Sequence, residues 1–333
     1  MNRSWLGLTG EEALEPELEI YDPHHHLWPQ PTRNWPRYDL VDLRADTASG
    51  HRVTKTVFID CASQYRQSGP EHLRPVGETE FVAERAVESE RTPGARIAAI
   101  VSFADLTLGE RVEEVLDAHI EAAGGRFRGI RHAAGWDASP EVPNSHTDPP
   151  ADLYDLRSFR AGLDVLGRLD LSFEAWQYHP QLPAVVRLAE AHPDVTIVVN
   201  HLGAPLGVGP YAGRRTEVLA AWRPPMQQLA ALPNVTLKVG GIGMTRYGLG
   251  WETHAKPPTS DELLAAWGDE LRWCIDLFGP SRCMFESNFP VDGESCSYVV
   301  LWNAFKKVSQ SYSPAERHAL FRGTAQAVYR ITS

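Results

Sequence analysis

Two histidines spaced two residues apart, His24 and His26, close the run Leu18-Glu19-Ile20-Tyr21-Asp22-Pro23 early in the chain. In an extended strand, residues two apart share a face, so both imidazoles point one way while His25 points the other. Convergent imidazoles at a strand end suit a metal ion or a polarised carbonyl, because neutral imidazole is both a ligand and a proton carrier. They have little value as packing, and the run is too short and too far from the terminus for an affinity tag.

Positioning such a pair requires a scaffold, and the hydrophobic pattern supplies one. Short apolar runs at Glu17–His24, Lys55–Ala62, Arg96–Phe103, Phe127–Ala133, Leu171–Tyr178, Thr196–His201, Val235–Gly240 and Cys283–Ser287 read as strands. Several are apolar on both parities, as parallel strands covered on both faces are. Amphipathic stretches at Glu78–Glu90, Glu110–Ala123, Leu153–Leu169, Leu182–His192, Thr216–Leu232, Ser260–Phe278, Tyr298–Ser309 and Pro314–Tyr329 read as helices. Eight strands, most of them followed by a helix, predict an α/β fold: a single (β/α)8 TIM-like barrel over residues 1–333, with 1–16 as an N-terminal extension. The echo between His192-Pro193-Asp194-Val195-Thr196-Ile197 and Leu232-Pro233-Asn234-Val235-Thr236-Leu237 fits two successive helix-to-strand turns. The long irregular pieces, 28–52, 64–77, 135–152, 202–215 and 241–259, all follow strand C-termini, where barrel enzymes build their sites.

Composition narrows the function classes. The net charge of −11 over 333 residues argues against nucleic acid and against an anionic membrane surface. No apolar stretch is long enough to span a bilayer, and the N-terminal residues lack the apolar core of a secretion signal. Four cysteines (Cys61, Cys274, Cys283, Cys296) have no CxxC spacing, which argues against a thiolate zinc site or a disulfide framework. A cytoplasmic protein acting on a small molecule is expected. Homo-oligomers are common among such barrels, and nothing in the sequence locates an interface.

Chemistry then gathers at the strand ends: His24 and His26 on the first, Arg131-His132 on the fourth, Gln177-Tyr178-His179 on the fifth, Asn200-His201 on the sixth, and Glu286 through Asp292 on the eighth. Asp-x-His-x-His, Gly129-Ile130-Arg131-His132, Asn200-His201-Leu202-Gly203 and Ser287-Asn288-Phe289-Pro290, in this order, resemble the amidohydrolase superfamily. They are most similar to its branch of 2-pyrone-4,6-dicarboxylate lactonases and sugar lactonases, and the resemblance runs from about Ile20 to about Tyr329. It implies a TIM-like barrel that hydrolyses lactones, esters or amides. Some relatives hold one divalent metal through the first-strand pair, a histidine of strand 5 or 6 and a strand-8 aspartate, whereas the pyrone lactonases work without one.

The strand-8 motif departs from the family's Ser-Asp-x-Pro, since Asn288 stands at the Asp position and an amide cannot accept a proton from water. Asp292, just past Pro290, is the favoured general base, as a loop carboxylate is readily hydrated; Glu286 is the second choice. In the resulting scheme His24, His26 and His179 hold either a divalent ion or the substrate carbonyl, with His201 beside them. Zn2+ is favoured over Mg2+ for imidazole donors, and the metal-free version stays open. Arg131 stabilises the oxyanion. His132, Tyr178, Asn288, Arg66 and Trp28 are expected to bind substrate, the arginines favouring a carboxylate-bearing one and the aromatics lining a ring. The stretch Gly240-Gly241-Ile242-Gly243 could admit an anion to the backbone. Two alternatives remain: a metal-dependent decarboxylase of an aromatic or unsaturated acid, and a non-catalytic barrel.

Overall fold

The computed structural model describes residues 1–332. Eight parallel strands run in the order β1 to β8: Glu19–His25 (β1), Arg52–Ile59 (β2), Arg96–Ser102 (β3), Phe127–Arg131 (β4), Ser172–Ala175 (β5), Ile197–Val199 (β6), Val235–Gly240 (β7) and Cys283–Glu286 (β8). Helices alternate with them, giving the (β/α)8 barrel expected from the pattern. The seam between β8 and β1 is closed by a parallel bridge between His25 and Phe289 and by the Ser287 amide donating to Asp22 Oδ1 at 3.0 Å. Among the described residues no helix is long and apolar enough to cross a membrane.

Burial explains why the strands form where they do. The residues of β5 to β8 are buried throughout, because helices cover the outer face and packed side chains fill the inner one. The large apolar cluster lies between strands and helices, with Trp222, Trp267 and Trp302 fully covered. A second cluster, Tyr21, Val57, Ile59, Ala99, Val101, Val198 and Met284 with Ala325, Tyr329 and Ile331, fills the lower interior of the barrel. The C-terminal segment thus plugs the barrel from below, and the polar residues at the strand C-termini form the floor of the upper mouth.

Two expectations need correction. The stretch 28–52 is not wholly irregular. It carries a helix, Leu40–Thr47, started by Asp39, whose carboxylate accepts from the Leu40 amide at 2.8 Å while Asp42 accepts from the Asp39 amide at 3.0 Å. The C-terminal helix is split into Pro314–His318, a π turn over Ala319–Gly323, and Thr324–Val328. The extension is held to the barrel by an Arg3–Asp46 ion pair at 2.7 Å and by Lys306, which donates to the carbonyls of Leu14 and Glu15.

Candidate active site

The register of β1 against β2 shifts between Asp22 and His25, a bulge at Pro23, and the strand end then turns His24 and His26 into the barrel. Their Nε2 atoms face each other at 3.3 Å, while His25 packs edge-on against Phe58 on the outer face. His26 Nδ1 lies 2.9 Å from the Ile59 carbonyl, which can only accept, so this nitrogen carries the proton and Nε2 presents its lone pair to His24. Around His24 stand four more groups from four other strands or their ends. Arg131 Nη1 is 3.3 Å from Nε2; Lys238 Nζ is 3.2 Å and Glu286 Oε2 2.8 Å from Nδ1; the His201 ring is 4.5 Å away.

The remaining contacts fix these groups in place. Glu286 Oε1 meets His201 Nδ1 at 2.6 Å, and Lys238 pairs with Glu174 at 2.9 Å, both fully buried. Glu174 also accepts from Asn200 and from the Tyr329 hydroxyl below. Arg131 Nε meets Asp60 Oδ1 at 2.9 Å, its Nη2 donates to the Asp60 carbonyl, and His146 Nε2 takes the other oxygen, Oδ2, at 2.9 Å. His201, Leu202 and Ala204 all have left-handed backbone angles, strain of the kind that accumulates at functional sites. A Cβ at Gly241 would lie 2.6 Å from His201 Nδ1, and one at Gly240 would lie 2.4 Å from Glu286 Cγ. These glycines make room for the imidazole and the carboxylate of this cluster.

Burial sets the charge states. Desolvation, reinforced by Lys238 and His201, pushes His24 well below the ordinary imidazole value; burial and Arg131 do the same to His26 and His201. Three neutral imidazoles result. Burial lifts Glu286 to about 8, with Lys238 opposing and Glu174 reinforcing the rise. Burial also acts upward on Asp60, but the charges of Arg131 and His146 outweigh it and hold this carboxyl below its usual range.

Above the cluster opens a cavity of about 620 Å³, with His26, His201, Arg131 and Asn288 at its base. Trp28, stacked on Trp35 at 5.2 Å, and Trp176 form apolar walls, and His146, Thr245, Arg246 and Glu294 add polar ones. Of the residues singled out from the sequence, His24, His26, His201, Glu286 and Arg131 meet here, and Trp28 and Asn288 line the cavity.

Five others lie elsewhere. His179 begins a short helical turn after β5; its ring packs on Tyr211 and its Nδ1 accepts from the Leu206 amide at 3.3 Å, so it contributes nothing to the cluster. His132 accepts from the Leu106 amide and is wedged between Phe103 and Phe159. The Tyr178 hydroxyl donates to the Pro143 carbonyl and accepts from Arg246. Arg66 is paired with Glu80 at the surface. Asp292 is not a hydrated loop carboxylate: the turn Asp292–Glu294 tucks it inside, where it accepts from the Gly243 amide and from Asn288 Nδ2, each at 2.8 Å. Gly243 therefore does bring its backbone N–H to an acidic group, and that group is Asp292, which burial pushes well above the usual carboxylate range.

Sequence reasoning missed Asp60, Lys238, Glu174 and His146. Asp60 directly follows β2 as Glu286 ends β8, and a lone lysine in Val-Thr-Leu-Lys-Val-Gly has nowhere to go but the barrel interior; both signals lie in the sequence. His24, His201 and Glu286 could hold a metal ion, their ligand atoms all lying within 4.8 Å of one another. The donor set fits: two neutral imidazoles and a carboxylate are ordinary zinc ligands. With Asp60 matched to Arg131 and Glu174 to Lys238, Glu286, which burial lifts to about 8, is the carboxyl left to ionise when a cation enters.

The amidohydrolase family pattern matches residues 21–331. An uncharacterized protein of Sinorhizobium fredii, y4mH, is 31% identical over 334 residues, covering 95% of this chain and 99% of its own length. An L-fucono-1,5-lactonase of Burkholderia multivorans is 29% identical over 255 residues, covering 76% and 77% of the two chains. A crystal structure of an amidohydrolase from Burkholderia multivorans with bound zinc superposes with a TM-score of 0.70 at 27% identity, covering 95% of this chain and all of that one. Since the matched segment begins within β1 and takes in every later strand, the chain belongs to the amidohydrolase family.

Proposed function

We propose that the protein hydrolyses a lactone or ester of a small polar acid, with a sugar-acid lactone as the favoured class. The observation that carries this reading is the grouping of three neutral imidazoles, Glu286 and Arg131 at the floor of an open cavity. Acyl hydrolysis needs a charge to meet the developing oxyanion and a base for water, and this floor offers both. The similarity to L-fucono-1,5-lactonase supports the lactone class.

Each residue has a definable task. The Arg131 guanidinium, held rigid by Asp60, is aimed at the cavity floor, where an oxyanion would form. His201 keeps Nδ1 on Glu286 and presents its other nitrogen to the cavity, where it takes the proton of an attacking water. Glu286, which ionises as pH rises through about 8, stabilises the imidazolium so formed, as the carboxylate of a catalytic triad does. Trp28, Trp35 and Trp176 offer flat faces to a ring, while Arg33 and Arg246 line the cavity without an ion-pair partner among the described residues and suit a carboxylate or hydroxyls. A divalent ion, zinc by donor type, would be held by His24, His201 and Glu286. When bound it supplies Lewis acidity and an acidified water; the same groups serve as the proton relay when it is not.

A pH-stat assay over γ- and δ-aldonolactones, carboxylated lactones and simple esters tests the reading, with carbon dioxide evolution from aromatic acids followed in parallel. Acid release without carbon dioxide is expected. Carbon dioxide release, or acid release no faster than the blank on every substrate, overturns it.

A further inference from the structure

A second histidine–carboxylate pair faces the cavity from the side opposite His201 and Glu286. His201 follows β6 and Glu286 ends β8, whereas Asp60 follows β2 and His146 lies on the loop after β4. In a ring of eight strands β2 stands across from β6, and β4 across from β8, so the two pairs flank whatever occupies the mouth.

His146 is built into position. The amide of Ser145 donates to the Gly135 carbonyl at 2.8 Å and Thr147 Oγ1 to the Ala133 carbonyl at 2.6 Å, so both neighbours are tied to the start of the same loop. Its Nε2 is taken by Asp60 Oδ2, a fully buried carboxylate whose other oxygen is taken by Arg131. Nδ1, on the other side of the ring, meets no protein atom among the described residues, and the side chain is 31% exposed and lines the cavity. A loop latch would not need a buried ion as its anchor, nor leave its second nitrogen facing the ligand space.

We infer that His146, oriented by Asp60, is a catalytic residue that protonates the leaving alkoxide of the substrate. The inference rests on the acyl-hydrolase reading above. After water adds to the carbonyl carbon, its proton passing to His201, the tetrahedral intermediate breaks its bond to the ring oxygen. The bonding electron pair goes to that oxygen, which takes the proton from Nδ1 of the His146 imidazolium and becomes a hydroxyl. The acid product loses a proton to solvent, His201 returns its own, and His146 regains one. The net change is lactone plus water to hydroxycarboxylate and one released proton. Asp60 holds the ring and balances its charge, the role a carboxylate plays behind a histidine in acyl transfer.

The test exploits leaving-group acidity. His146→Gln is compared with wild type on an aldonolactone, whose leaving group is an alkoxide, and on dihydrocoumarin, whose leaving group is a phenolate that departs without a proton. The inference expects kcat on the aldonolactone to fall by about 10²-fold, within the usual range for a general acid, with KM little changed and a loss on dihydrocoumarin at least about tenfold smaller. Melting temperature controls for folding, and His146→Asn repeats the comparison if the glutamine variant does not fold. Equal losses on both lactones, or none on the aldonolactone, overturn the inference while leaving the hydrolase reading intact. A wild type that turns over neither lactone nor ester defeats that reading, and this inference with it.

Discussion

The Lys238 ammonium stands 3.2 Å from Nδ1 of His24, the same ring nitrogen that Glu286 approaches at 2.8 Å. The two neighbours select opposite tautomers. If Lys238 donates, His24 carries its proton on Nε2, against the Arg131 guanidinium, which faces that nitrogen at 3.3 Å and can only donate. With the proton on Nδ1 instead, beside Glu286 Oε2, both Nε2 lone pairs face each other across 3.3 Å and Arg131 Nη1 can donate to that of His24.

Lys238 also neutralises Glu174 at a site with no solvent access. Lys238→Met leaves that carboxylate buried without its cation, and urea denaturation should show a loss of about 3 kcal/mol. Adding Glu174→Gln removes the stranded charge and should recover most of the loss. A single variant as stable as wild type would contradict the pairing.

Asp292 is assigned a scaffolding role. Asp292→Asn keeps an oxygen for the Gly243 N–H but sets its NH2 against Asn288 Nδ2, and should destabilise the fold by about 1–3 kcal/mol through one unmet buried donor. Turnover by the folded fraction should stay within about tenfold of wild type, below the usual general-base contribution of about 10²-fold or more. A loss of kcat by about 10³-fold with unchanged stability would restore Asp292 as the base.

Metal binding distinguishes the two candidate ligand sets. Zinc titrated into chelator-treated protein should bind one ion per chain by calorimetry and metal analysis. Glu286→Gln and His201→Ala should each weaken that binding, whereas His179→Ala should leave it unchanged because His179 is bonded to the Leu206 amide away from the cluster. Zinc affinity that depends on His179 and not on Glu286 would contradict the assignment.

Acid sensitivity should come partly from His119, far from the site. Burial pushes this imidazole down to about 4, with the Phe103 carbonyl opposing. Its folded value lies below the unfolded one of about 6.5, so the unfolded chain binds the proton first as pH falls. Its contribution is therefore complete above about pH 6.5 and lost between about pH 6.5 and about pH 4, at roughly 1.4 kcal/mol per pH unit at most. Urea unfolding at about pH 7 and about pH 5 should show a stability drop that shrinks in His119→Asn by about 1–2 kcal/mol. An identical drop in the variant would remove His119 from the explanation.

The barrel was legible because strands buried on both faces leave unbroken apolar runs, as at Val235–Gly240, and because every run but the first precedes an amphipathic stretch. The helix Leu40–Thr47 was not, since it mixes Arg44, Asp42 and Asp46 with few apolar residues and depends on its cap. His24 and His26 were legible through strand parity. Parity stops where the strand stops, and β5 ends at Ala175, so nothing local fixed the direction of Tyr178 or His179. The same holds for Asp292, whose orientation is set by the turn after Pro290. Asp60 and Lys238 obey parity and strand-end logic, but each is a single charge beside an apolar run, and its partner, Arg131 or Glu174, lies on a strand distant in the sequence.

The account stands most directly on Glu286, which touches both His24 and His201. Its decisive measurement is kcat on the best lactone found, wild type against Glu286→Gln, with folding checked by circular dichroism. The account predicts a fall of about 10²–10⁴-fold; a folded variant that turns over at the wild-type rate would contradict it.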